Sequence, residues 1–108
     1  MEVEWFPTAE AAMKRIAEAM KAADARVLPW QARVKPGDCF MSDSGEGFPV
    51  FGEVLESYGE PHLQHYRFCR CYSVVCPEGE LGDVHVSTIL CLVSRGLFER
   101  LREQGWRF

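Results

Sequence analysis

The chain has 108 residues, of which 47% are hydrophobic and 26% charged, and its formal net charge is −4. That composition fits one globular α+β-sized domain over residues 1–108 rather than a disordered chain, with enough apolar surface to fold without crosslinks. It argues against a generic nucleic-acid binder, which needs a basic footprint. No apolar run approaches the ~20 residues of a membrane helix, and Met1-Glu2-Val3-Glu4 is acidic where a signal peptide is basic, so a cytoplasmic protein is expected.

The stretch from Thr8 to Ala25 reads as a helix. Ala12, Met13, Ile16, Ala19, Met20 and Ala23 recur at helical spacing, Thr8 is placed to cap, and Glu10 suits the first turn. Pro29 is expected to end this region. Gln31 to Val34 reads as extended, Pro36-Gly37 as a bend, and Asp38 to Met41 as a strand. Ser42 to Gly47 is a turn cluster. Pro49 to Ser57 reads as a second strand, with Gly52 marking a bulge or a close backbone approach. Tyr58 to Gln64 reads as a loop. Tyr66 to Cys76 is apolar on both faces, as a central strand covered on both sides must be. Pro77 to Asp83 reads as a polar turn into a strand at Val84 to Ser87. Thr88 to Val93 fits strand or loop. Ser94 caps a last helix to Gln104, Gly105 supplies a left-handed stop, and Trp106 is expected to fold back on Leu101 or Phe98.

The expected fold is therefore α+β: an N-terminal helix, a small antiparallel curled sheet or partly open barrel, and a C-terminal helix. An open sheet with both helices on one face is the alternative.

Five cysteines, Cys39, Cys69, Cys71, Cys76 and Cys91, are an odd number, and free core thiols are expected. Cys69 and Cys71 share a strand face, but Cys76 points away and no Cys-x-x-Cys pair occurs, so neither a metal nor any other cofactor is expected. His62 and His65 fall in a loop. No Gly-x-Ser-x-Gly elbow or phosphate loop is present, and no nucleophile, base and orienting group can be assembled from the sequence. Arg70 lies between Phe68 and Tyr72 on the strongest strand. It reads either as a cation stacked on tyrosine and paired with an acid such as Glu53, or as an anchor for a ligand.

The run Lys35-Pro36-Gly37-Asp38-Cys39-Phe40, then Phe48-Pro49-Val50-Phe51-Gly52-Glu53-Val54, resembles the opening of two small-barrel families. One is a bacterial immunity-protein family with a Gly-Asp-x-Phe strand followed by a Phe/Tyr-Gly-x-Val strand, matched here by Gly37, Asp38, Phe40, Phe51, Gly52 and Val54. That resemblance implies binding and neutralising a toxin. The other is the PemK/MazF ribonuclease toxin group, whose Arg-Pro pair is replaced here by Phe48-Pro49, which removes the residue implied to be catalytic.

These readings converge on a non-enzymatic protein-binding module, with aromatic residues such as Trp5, Phe6 and Trp30 in connections. Its expected binding residues are Asp43, Glu46 and Phe48 in one loop, Tyr58 and Glu60 in another, and Arg70. Carboxylates around aromatic rings suit another protein with a basic face. A strand kinked at Gly52 is expected to bring the two loops closer. The rival reading is a small enzyme or ligand-binding domain using Arg70, the histidines and the cysteines in a sheet-lined pocket. The oligomeric state is not readable from the sequence.

Overall fold

The computed structural model describes residues 8–107, so Trp5 and Phe6 lie outside the described residues. Helix α1 spans Ala9–Asp24, and the Thr8 hydroxyl accepts the Ala11 N–H at 3.1 Å to cap it. The expected apolar stripe is present but uncovered: α1 buries none of its residues, and Met13 and Ile16 are exposed.

Pro29 does not end the helical region. It opens a second short helix, α2 (Pro29–Ala32), where its missing N–H costs nothing. Gln31, read as extended, is therefore helical. It is buried, its Oε1 accepts the Leu28 N–H at 2.8 Å, and its Nε2 donates to the Ile89 carbonyl at 2.9 Å. One amide thus closes α2 and ties it to the far end of the sheet.

Among the described residues five strands follow: β1 (Cys39–Asp43), β2 (Pro49–Ser57), β3 (Tyr66–Ser73), β4 (Cys76–His85) and β5 (Ile89–Val93). They form one antiparallel sheet in the order β4-β3-β2-β1-β5 that does not close into a barrel. β4 and β5 are its edges. Helix α3 (Arg95–Glu103) starts at Ser94, whose hydroxyl accepts the Leu97 N–H at 3.2 Å.

The expected turn at Pro77–Asp83 is instead the body of β4. The chain reverses at Val74-Val75, between Ser73 and Cys76, which pair. Neither valine has a positive φ, so this turn lacks the glycine or asparagine signature of the favoured hairpin loops. The expected strand at Val84–Ser87 ends at His85, and Val86–Thr88 forms a single 3-10 turn.

Gly52 marks a close approach, not a bulge. It pairs regularly with Phe40 and Cys71, and a Cβ on it would sit 2.3 Å from the Phe40 ring. The irregularity in β2 falls between Val54 and Glu56.

Alternation along β1 sends Cys39 and Phe40 to opposite faces, and a separate core forms on each. Phe40, Val54, Cys69, Val86 and Ile89 pack with Val34, Val27 and Trp30 on one face. Arg67 completes that side from within the sheet. It is buried, and it donates to the carbonyls of Val34 (2.8 Å), Ala32 (3.1 Å), Gln64 and Tyr66. On the other face Cys39, Phe51 and Tyr72 pack beneath Phe98, Leu101 and Trp106. The two helical layers therefore cover opposite faces of the sheet.

Trp106 folds back as its glycine neighbour allows. Gly105 has φ +66°, the Trp106 N–H donates to the Leu101 carbonyl at 2.7 Å, and the Gly105 N–H donates to Arg102. The ring is 1% exposed, stacks on Tyr72 at 4.6 Å, and donates through Nε1 to the Pro77 carbonyl at 3.1 Å. Trp106→Ala is expected to destabilise the domain by about 3–5 kcal/mol, the range for truncating a buried aromatic. A urea midpoint equal to that of the parent would refute this.

Candidate functional site

The expected binding residues do not form one surface. Asp43, Glu46 and Phe48 stand together in the β1–β2 turn. Asp43 accepts the Gly45 N–H at 2.9 Å, the Ser44 hydroxyl accepts the Glu46 N–H at 3.0 Å, and it donates to the Phe48 carbonyl at 2.7 Å. Tyr58 and Glu60 lie beyond the opposite end of β2. Asp43 pairs with Pro49 at one end and Ser57 pairs with Arg67 at the other, with no kink at Gly52 to fold the strand back. Tyr58 reaches over to β4, where its hydroxyl donates to the Asp83 carboxylate.

Arg70 sits mid-strand opposite Glu53, half-buried, with no hydrogen-bond or ion-pair partner among the described residues. The expected stack on Tyr72 exists but belongs to Arg102, whose guanidinium lies 4.8 Å from the ring. Glu53 is also taken. It meets Arg95 at 3.0 Å and Arg102 at 3.8 Å, and accepts the Tyr72 hydroxyl at 3.2 Å. Both arginines come from α3, which the β-strand reading of Arg70 had no means of weighing.

The cysteines are unpaired thiols. Burial pushes Cys69 up to about 12 and Cys71 up to about 11, which makes them poor nucleophiles near neutrality. They face away from Arg70, because successive strand residues alternate. Among the described residues, no group of three or more His, Cys, Asp or Glu side chains is placed to hold a metal ion.

The histidines do form a feature that sequence reading missed. His85 Nε2 lies 2.8 Å from Asp24 Oδ1 at the end of α1, and its Nδ1 lies 2.7 Å from the Ser87 hydroxyl. The Ser87 N–H donates to the same Nδ1 at 3.2 Å. Nδ1 is thus an acceptor, and the ring proton sits on Nε2, facing the carboxylate. His65 flanks this group, with its ring 6.1 Å from that of His85 and its buried Nδ1 without a partner among the described residues. His62 is exposed nearby in the chain. The only sequence signal is local, His85-x-Ser87. Asp24 joins through the fold.

The sheet edges differ sharply. β4 carries Pro77, Glu78, Glu80 and Asp83, residues that discourage another strand from pairing. β5 reads Ile-Leu-Cys-Leu-Val and carries no charge. Leu90 is 56% exposed and Leu92 50%. Beside this edge an apolar groove of about 340 Å³ opens between β5 and α3, lined by Met41, Phe51, Cys91, Leu92, Leu97 and Leu101. A second hollow of about 290 Å³ lies by Gly37, Cys39 and Arg95. Neither is lined by Arg70 or a histidine. Since β1 pairs Ser42 with Ile89, the acidic turn of Asp43 and Glu46 adjoins the Ile89 end of β5, and Arg95 follows its Val93 end.

Among the described residues no helix is long and apolar enough to cross a membrane. Comparison with protein-family models, with curated proteins and with solved structures finds no match.

The Tyr58–Asp83 contact has a measurable signature. The hydrogen bond to the carboxylate is the main cause that raises the Tyr58 phenol from 10.0 to about 12. The folded protein then holds this proton more tightly than the unfolded chain. The resulting stability is complete below pH 10 and is lost as pH rises from 10 to 12. An absorbance titration should place Tyr58 at about 12, and Asp83→Asn should return it towards 10; a Tyr58 transition unchanged by that substitution would break the link.

Proposed function

We propose that the chain is a protein-binding module without catalytic turnover, and that its contact surface is the β5 edge with the neighbouring groove. One observation carries this reading: an uncharged edge strand exposes Leu90 and Leu92 beside an apolar groove. Unpaired strand N–H and C=O groups bind an extended segment, and side chains in a flanking groove give selectivity. The acidic turn at one end of β5 suits a partner with a basic flank, which keeps Asp43, Glu46 and Phe48 in the surface. Tyr58, Glu60 and Arg70 then lie outside it.

Leu92→Lys is expected to lower partner capture at least tenfold, while Leu81→Lys on the acid-guarded β4 edge leaves it unchanged. Equal capture by both variants at low and moderate salt would remove β5 from the surface.

A second reading, a small hydrolytic enzyme, is favoured by the Asp24–His85–Ser87 contacts alone. A base within reach of a hydroxyl, oriented by a carboxylate, is the arrangement of an activated nucleophile. A fluorophosphonate probe tests it. Ser87 Oγ attacks phosphorus, fluoride leaves, and the hydroxyl proton passes to His85. Stoichiometric labelling lost in Ser87→Ala supports this reading, and an unlabelled Ser87 leaves the three residues as a clamp on α1.

A further inference from the structure

We propose that α1 is an arm latched to the sheet by His85, and that a proton taken up by this ring tightens the latch.

α1 buries none of its 16 residues, so packing does little to fix its direction. The connection to the body is short. Ala25 and Arg26 are exposed, and Val27 packs against the core. Asp24, the last residue of α1, reaches across this hinge to His85 at the end of β4. The His85 side chain is 8% exposed and that of Asp24 41%, so a buried group on the sheet holds a half-exposed one on the arm.

The two ring nitrogens have different partners. Nε2 carries the proton and donates to Asp24 Oδ1 at 2.8 Å. Nδ1 accepts the Ser87 N–H at 3.2 Å and so caps the 3-10 turn Val86–Thr88, with the Ser87 hydroxyl 2.7 Å away. A further proton can enter only at Nδ1. It makes the ring a cation, and the bond to Asp24 becomes a charge-assisted pair, the stronger kind. The Ser87 hydroxyl then turns to accept from Nδ1, and the Ser87 amide loses its acceptor. The gain is an ion pair at 2.8 Å and the loss one neutral bond at 3.2 Å, so the charged ring favours the latched arm. By linkage, the latched arm favours the proton by the same factor.

The groups facing the ring agree with this sign. Asp24 faces it from α1 and Ser87 from the turn, while Tyr66 on β3 meets it edge-on at 4.9 Å. His65, just before β3, is the second imidazole, with its ring 6.1 Å away. A charge on His65 would oppose one on His85, but Asp24 is in contact and His65 is not, so attraction wins. On α1 itself Lys21 stands one turn before Asp24 and Arg26 just after it, both exposed. The proton thus sets whether the exposed Met13 and Ile16 are carried in a fixed direction or on a swinging arm.

The experiment is an NMR titration of the full chain from about pH 8 to about pH 5, the range in which imidazoles change charge. Ring nitrogen spectra should show the proton on Nε2 at the upper end and on both nitrogens at the lower. The Ser87 amide signal should move with the same transition. In a weakly aligned sample the residual dipolar couplings of α1 should be about twofold smaller at the upper end, as a swinging helix averages them, while those of the sheet hold constant. Asp24→Asn keeps an acceptor but removes the charge, and should abolish the pH response of α1. Couplings of α1 that stay constant across the titration overturn the proposal. So does a sheet that changes along with α1, a neutral ring protonated on Nδ1, or a response that survives Asp24→Asn. The titration of the unmodified chain stands without any variant.

Discussion

Trp106 joins four elements of the fold through one side chain. Its ring meets Phe51 on β2, Tyr72 on β3 and Phe98 on α3, and its single donor finds the Pro77 carbonyl on β4. The conformation needed to reach them is costly. Gly105 and Trp106 both have positive φ, at +66° and +69°, and only the first is a glycine. A tryptophan held there implies that its packing outweighs the backbone strain, by burying a large apolar surface with its polar atom satisfied. Without that wedge, α3 has two buried residues, Phe98 and Leu101, to hold it on the sheet.

The same helix changes the meaning of the charge map. Read along the sequence, the last fifteen residues form a basic tail with four arginines. In the fold, Arg95 and Arg102 converge on Glu53, and their guanidinium groups lie over Phe98, Tyr72 and Trp106. Much of the apparent basic tail is therefore consumed in seating α3. On the opposite face Arg67 does comparable work with no carboxylate partner among the described residues, since the carbonyls of Ala32 and Val34, at the end of α2 and just beyond it, and those of Gln64 and Tyr66 accept from its donors. A buried guanidinium suits this role because its fork of donors stays charged and reaches several acceptors at once.

Sequence alone carried the α+β class, α1, β2 and the C-terminal cap, because each rests on a local rule. Thr8 and Ser94 cap, β2 is bounded by Pro49 and a loop, and Gly105 allows the reversal onto Leu101. It failed at β4 because proline, glycine and acid side chains signal a turn and also a protected edge strand, and only the neighbouring strand distinguishes them. It failed at Val74-Val75 because two β-branched residues give no turn signal. Of the surface, the exposed leucines of β5 were legible as apolar residues but not as an edge, since edge position is a property of strand order. Arg70 is legible as a charge within an apolar strand. The cations that engage Tyr72 and Glu53 come from a helix some thirty residues later, beyond the reach of any periodicity argument.

The strand order also fixes a sequence of events. β1 to β4 form a meander in which each strand pairs with its neighbour in the chain, so their contacts close short loops. β5 pairs instead with β1, across the whole meander, and closing that long loop costs more entropy before any contact offsets it. β5 and α3 are thus expected to add last during folding, onto a meander already formed. Substitutions in them should then act mainly on the rate of unfolding, while those at the β2–β3 pairing slow the approach to the native state. The part of the molecule that offers the open edge is, on this account, also the first to let go.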